Sequence, residues 1–306
     1  MLGLLKKALF TSSMLSITAL ASSPAFAFSV IGTDFVKYEA LDTNSDGVLD
    51  TTNRNDAADL NAILVGSCTE VGDACDPPGS PGGNVELFAT SETLTLAQFL
   101  ASDERTTLSQ TFASGDTFTL SSLTAEDWFG AGRSVADINY AGLAGTLARE
   151  WFDGIMDFVD VQDPLRQTLF GQFRDAGGFQ RFSDPNVSYA NQNGAGDITY
   201  GLAGVFNAVD VNPLFAGYQA SELVRLSLNG TDLGVKYSFG NIATQRIASR
   251  SGLNSNDPTN SHNGNYEMTI PGGGTSVPEP STVLGLMGLA GLLATRRKGD
   301  RHDRVL

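Results

Sequence analysis

Histidine and cysteine are scarce, with two of each in 306 residues. In the body of the chain only His262 is left, in NDPTNSHNGNYEM among loop formers. No G-x-S-x-G elbow occurs, so a serine triad has no support. The cysteines, Cys68 and Cys75, lie in GSCTEVGDACDPPGSPGG. Their spacing is not C-x-x-C and no histidine is near, which argues against zinc. Basic residues are few, 19 lysines and arginines against 34 aspartates and glutamates, a net charge of −15. Between Phe28 and Ser276 the imbalance is 12 against 31, a net of −19. Such a surface repels nucleic acid and anionic membranes and attracts cations. The GAG and GGG stretches lack the strand, helix and lysine of a phosphate loop. No period of twenty to fifty residues recurs, which excludes a solenoid. Aromatic and aliphatic residues are plentiful, so the body is not a disordered polymer.

The amino end has the order of a secretory signal peptide. Lys6 and Lys7 give a basic start, Ala8 to Ala21 an uncharged apolar stretch, and Pro24 a helix break. Ala25 and Ala27 flank Phe26 as a small-residue cleavage site. Residues 1–27 are therefore expected to direct Sec-type export and to be removed by signal peptidase, leaving Phe28 first. A core helix at the start of a globular fold is the competing reading, but it does not account for three signal elements in order. Outside the cytoplasm a close cysteine pair oxidises, so Cys68 and Cys75 are expected to form a disulfide. A free thiol pair stays open, because spacing alone does not establish disulfide geometry.

At the carboxyl end a Gly-rich linker, residues 271–276, precedes VPEPS. Thr282 to Ala294 is apolar or small throughout. As a helix rising ~1.5 Å per residue it spans about 20 Å. A bilayer core is ~30 Å thick, so the span is marginal as a permanent anchor. Arg296, Arg297 and Lys298 follow at once. Positive residues stay cytoplasmic and their long side chains snorkel, so residues 299–306 form a cytoplasmic tail. Gly285, Gly288 and Gly291 leave a thin strip for close approach of another helix. The order Val277-Pro278-Glu279-Pro280, short apolar helix and basic cluster resembles the PEP-CTERM sorting signal, here residues 277–298. That resemblance implies recognition by an exosortase, a membrane-embedded cysteine transpeptidase-like enzyme, and relocation to the cell surface or extracellular matrix. Pro278, Glu279 and Pro280 are then recognition residues of a substrate. The prolines keep that segment extended and accessible.

Within the body, GGNVELFAT and GDTFTLSSLT have strand character, and TLTLAQFL fits either a strand or a short helix. LAGTLAREWFDGIMDFVDVQ has helical spacing. DPLRQTLFGQFRDAGG opens on Asp163 as a cap with Pro164 in the first turn and closes on Gly177. GDITYGLAGVFNA and NYEMTI return to strands, and Asn229-Gly230 marks a hairpin in ELVRLSLNGTDLGVKYSFG. The order predicts one α+β domain over residues 28–270, an antiparallel sheet packed against a helical pair. The cleaved signal peptide and the short C-terminal transmembrane helix flank it. GGNVELFA, SSLTAEDWFG, GGFQRFSDPNVSY and SHNGNYEMTIPGG are similar to segments of a cyanobacterial family of PEP-CTERM proteins, which implies a lineage and no chemistry.

Asp42, Asn44, Asp46, Val48 and Asp50 fall at positions 1, 3, 5, 7 and 9 of a calcium loop, with Gly47 at the sharp turn. Position 12 is Asn53, and Asp56 or Asp59 would have to supply the missing carboxylate. The competing reading is a polar turn. Asp153, Asp157, Asp160 and Asp163 recur at helical spacing and fit the wet face of an amphipathic helix better than a metal or acid–base site. Calcium is thus the one cofactor the sequence suggests. The expectation is a non-enzymatic exported protein in the envelope or matrix, with exopolysaccharide as a partner. The rival is a secreted hydrolase of matrix polysaccharide, whose two carboxylates would converge only in space.

Overall fold

The computed structural model describes residues 27–41, 51–64, 82–203, 205–207, 219–240 and 266–272. The amino-terminal part forms β1 (Ala27–Ile31), β2 (Phe35–Leu41), β3 (Thr51–Arg54), α1 (Leu60–Leu64) and β4 (Gly83–Leu87). Then come α2 (Leu96–Ala101), β5 (Thr107–Thr111), β6 (Thr117–Ser121), α3 (Ala125–Phe129), α4 (Leu147–Phe158), α5 (Leu165–Asp175) and α6 (Gly178–Arg181). The rest is strand: β7 (Asn186–Gln192), β8 (Ile198–Leu202), β9 (Val205–Asn207), β10 (Gln219–Ser221), β11 (Val224–Leu228), β12 (Thr231–Lys236), β13 (Phe239–Gly240) and β14 (Tyr266–Ile270).

The helices and antiparallel strands expected from sequence are present, but the layering differs. Two large sheets face each other, a five-stranded one ordered β1-β5-β6-β11-β12 and a six-stranded one ordered β14-β8-β7-β4-β2-β3. A small sheet, β13-β10-β9, adjoins them in sequence. Leu108, Phe118 and Leu120 of the first large sheet share one core with Val85, Val187 and Tyr200 of the second. The Phe118 and Tyr200 rings meet across the gap at 5.8 Å. Successive strand side chains alternate between faces, so in β5 and β6 each inward residue is followed by an outward polar one. Short polar strands such as TLSQT in β5 hide this alternation, because one of the two inward residues, Gln110, is itself polar.

The helices build a second core, dominated by aromatic rings. Phe179 lies 5.1 Å from Trp128, 5.0 Å from Phe129 and 5.0 Å from Phe173, all edge-on. Trp151 packs on Phe182 at 4.5 Å. Edge-on pairs set a positive ring rim against a negative face, which adds to the area buried. The Trp128 Nε1–H donates to Ser183 Oγ at 2.7 Å, and Ser183 Oγ donates to the Phe179 carbonyl at 2.6 Å. TLTLAQFL resolves as helix α2, because Thr95 and Gln98 form a reciprocal capping box. Asp163 is not the cap of α5: Pro164 holds that position without a side-chain bond. Gly177 closes the segment in the left-handed region at φ 77°.

Candidate functional site

Most residues singled out from sequence lie outside the described residues: Ala25, Cys68, Cys75, Asp42, Asn44, Asp46, Val48, Asp50, Pro278, Glu279, Pro280, Arg296, Arg297 and Lys298. Val277 and the expected transmembrane span lie there too. Among the described residues no helix is long and apolar enough to cross a membrane. Ala27 begins β1 opposite Thr111. Next to it Phe28 is buried, and its backbone N–H donates to Asn61 Oδ1 at 2.8 Å. The candidate calcium loop joins the paired strands β2 and β3, whose last pair is Leu41 opposite Thr51. Asn53 lies within β3 opposite Glu39. Asp56 is held by Arg54 at 2.9 Å, and Asp59 caps α1 by accepting from the Asn61 and Ala62 N–H groups.

The aspartate stripe is only partly helical, because α4 ends at Phe158. Asp153 accepts from Arg149 at 2.7 Å and from the Tyr140 hydroxyl at 2.8 Å. Asp157 pairs with Arg166 of α5. Asp160 turns into the left-handed region at φ 54°. These carboxylates tie α4 to its neighbours. Among the described residues no three histidine, cysteine, aspartate or glutamate side chains are arranged to hold a metal.

Two groupings were not anticipated. The first is a set of three acids, Asp184 and Glu222 buried and Glu86 half-buried. Glu86 of β4 stands opposite Asn186 of β7. Glu222 clamps Asn186, accepting from its backbone N–H at 2.6 Å and from Nδ2 at 2.9 Å. Asp184 meets Ser91 Oγ at 2.8 Å, while Ser91 Oγ also lies 2.9 Å from the Gln180 carbonyl. A serine hydroxyl has one proton. The Ser91 hydroxyl is thus shared between the Asp184 carboxylate and the Gln180 carbonyl, each an acceptor. Burial pushes the Asp184 carboxyl well above its ordinary range, reinforced by the charges of Glu222 and Glu86. Burial also raises Glu222, against the hydrogen bonds from Asn186, and lifts Glu86 to about 7. The Tyr38 hydroxyl donates to Glu86 at 2.8 Å.

The second is a groove of about 650 Å³ at one end of the outward face of the five-stranded sheet. Arg105, Glu126, Asp127, Arg225 and Asp232 line it together with the hydroxyls of Thr119 and Ser227. Asp127 accepts from Arg105 on one carboxylate oxygen and from Arg225 on the other, each at 2.7 Å. Its position is fixed from below, since Thr124 and Asp127 cap α3 reciprocally. Arg225 also donates to Asp232 at 2.5 Å. The groove's arginines are therefore matched by its aspartates, and both Asp127 oxygens are occupied. General acid–base work needs a carboxylate free to exchange a proton with a substrate, and Asp127 is poorly placed for it.

No spacing signal connects Glu86, Asp184 and Glu222, or Arg105, Asp127 and Arg225. The groove was foreshadowed only by the alternation of GDTFTLSSLT. No curated protein and no solved structure matches the chain, so the lineage suggested for its body has no relative behind it. Residues 276–298 match the PEP-CTERM protein-sorting motif. The chain is thus an exported protein that carries an exosortase sorting signal at its carboxyl end and is directed to the cell surface.

Proposed function

We propose that the protein is a non-enzymatic component of the cell surface or extracellular matrix, associated there with polysaccharide. The sorting motif at residues 276–298 carries this reading. In it the signal peptide delivers the body outward, the span over Thr282 to Ala294 holds it briefly in the inner membrane, and exosortase cleavage near Pro278-Glu279-Pro280 releases it. Asp127 and Asp232 are both held by Arg225, which leaves Glu126 as the one groove carboxylate outside an ion pair; this supports a binding role over hydrolysis, because a glycosidase needs two carboxylates poised on either side of the scissile bond. The loop from Asp42 to Asp50 takes calcium in this reading and stiffens the β2–β3 edge of the six-stranded sheet. The test is fractionation of cells with and without the exosortase, with mass spectrometry of the mature carboxyl end. A trimmed, surface-located chain that becomes full-length and membrane-bound without the exosortase is expected. Identical length and location in both strains would refute the reading.

A further inference from the structure

The outward face of the five-stranded sheet is a regular array of hydroxyls. Ser29 of β1 stands opposite Ser109 of β5, Ser109 opposite Thr119 of β6, and Thr119 opposite Ser227 of β11. In the next row Thr107 stands opposite Ser121, with Ile31 on one side and Arg225 on the other. A third row pairs Thr111 with Thr117. The residues between them, Leu108, Phe118, Leu120 and Leu226, point into the sandwich core. Period-2 alternation therefore puts all eight hydroxyl side chains on one face. Rows are about 6.6–6.8 Å apart along the strands, and neighbours in a row about 4.8 Å apart.

Within the array Thr107 and Ser121 are 2.9 Å apart, and Thr119 contacts Ser227. Two paired hydroxyls hold two protons and spend one on each other. Each pair so keeps one donor and spare lone pairs, presented outward by Thr107, Thr119 and Ser227, with Ser121 itself buried. No aspartate, glutamate, lysine or arginine of β1, β5 or β6 points outward. At the β11 end the arginine charge is met by Asp127 and Asp232, and the exposed Glu126 at the groove adds a negative charge there. An uncharged strip on a chain of net charge −15 suits a neutral partner, since the acidic surroundings repel polyanions. Ile31, 66% exposed, gives one corner an apolar contact.

We propose that this face is a docking surface for a neutral polysaccharide, a polyol that offers donors and acceptors in turn, with the groove beside Arg225 receiving one stretch of the chain. The inference rests on the matrix reading and names the surface that serves it.

The experiment is co-sedimentation of the purified full chain with an insoluble neutral glucan, with an acidic polysaccharide gel run in parallel. The decisive variant is Ser109→Ala with Thr107→Val and Thr119→Val, which removes hydroxyls but keeps strand-forming shapes. A control, Thr199→Val with Thr269→Val, removes a hydroxyl pair from the other sheet. Circular dichroism and melting establish that each variant is folded. For a variant that fails to fold, the single substitution Thr119→Val replaces it. The expected result is retention on the neutral glucan, weakened at least tenfold in the array variant and unchanged in the control. Equal binding by the array variant overturns this surface while leaving polysaccharide association standing. Binding to the acidic gel alone, or no binding at all, overturns the proposal. The exosortase fractionation tests surface location independently of either outcome. A change of oligomeric state in the array variant by gel filtration would assign the face to a second copy of this chain, and also overturns it.

Discussion

Arg225 on β11 donates to Asp127 on α3 at 2.7 Å, across 98 residues of sequence. The bond joins the five-stranded sheet to α3 of the aromatic core. Asp127 is nearly buried, with its side chain 6% exposed, while both arginines are about one third exposed. Asp127→Ala removes the reciprocal half of the α3 capping box and leaves two guanidinium groups facing each other. Loss of a cap costs about 1 kcal/mol. Stranding the partners of a mostly buried ion adds to that, discounted here for the solvent that reaches the arginines. A total of about 2–4 kcal/mol is expected in urea unfolding. Asp127→Asn keeps the capping geometry and should lose less. If Asp127→Ala unfolds at the wild-type midpoint, the network holds nothing together.

Phe179 should be the most sensitive ring of the helical core, since it touches Trp128, Phe129, Phe170 and Phe173. Phe179→Ala is expected to cost about 3–5 kcal/mol. The same substitution should shift tryptophan emission to the red, because Trp128 loses its packed neighbour and gains water. A loss under 1 kcal/mol with unchanged emission would contradict this packing.

Stability should fall as pH rises through neutrality. Glu86 ionises ordinarily at 4.5, and burial raises this to about 7 in the fold. Between those values the folded chain binds more protons than the unfolded one, so its stability declines with rising pH. The contribution is complete below about 4.5 and is lost as pH passes about 7. The shift corresponds to about 3 kcal/mol at 1.36 kcal/mol per pKa unit. Asp184 and Glu222 shift in the same direction and extend the decline. Glu86→Gln keeps an acceptor for Tyr38 and removes the charge. Melting curves between pH 5 and 8 should show a steeper fall for wild type than for Glu86→Gln. Parallel profiles would mean that Glu86 titrates normally.

Calcium should raise the melting temperature through the loop that closes the β2–β3 hairpin. At ten to a hundred times the Kd of a weak extracellular site the gain is about 1.5–3 kcal/mol. Asp46→Ala should abolish it. Wild-type melting that ignores millimolar calcium leaves the loop as a plain polar turn.

Local chemistry was legible in the sequence wherever the signal was contained in a few residues. Asn229 and Gly230, at φ 52° and 79°, make the tight hairpin their identities announce. α4 and NYEMTI lie where their periodicities put them. β1 was missed because its partner β5 is remote in the chain, and β5 because its inward Gln110 is polar and breaks the apolar alternation. Glu86, Asp184 and Glu222 come together only because β4 pairs with β7 and Glu222 reaches Asn186. The hydroxyl array is likewise a product of register: Ser29 acquires meaning from Ser109, and Ser109 from Thr119. A single strand shows alternation but not its neighbours, so one sheet with a helical pair was as far as local signals led.

The most direct test of the account replaces Pro278, Glu279 and Pro280 together with alanine and follows a tagged body through membrane and extracellular fractions, with chain length on a gel. The signal peptide is untouched, so export should persist. Sorting should fail, and the full-length chain should accumulate in the inner membrane with its body outside. Trimming and placement like wild type would contradict the account, leaving the carboxyl end a plain anchor that happens to contain these residues.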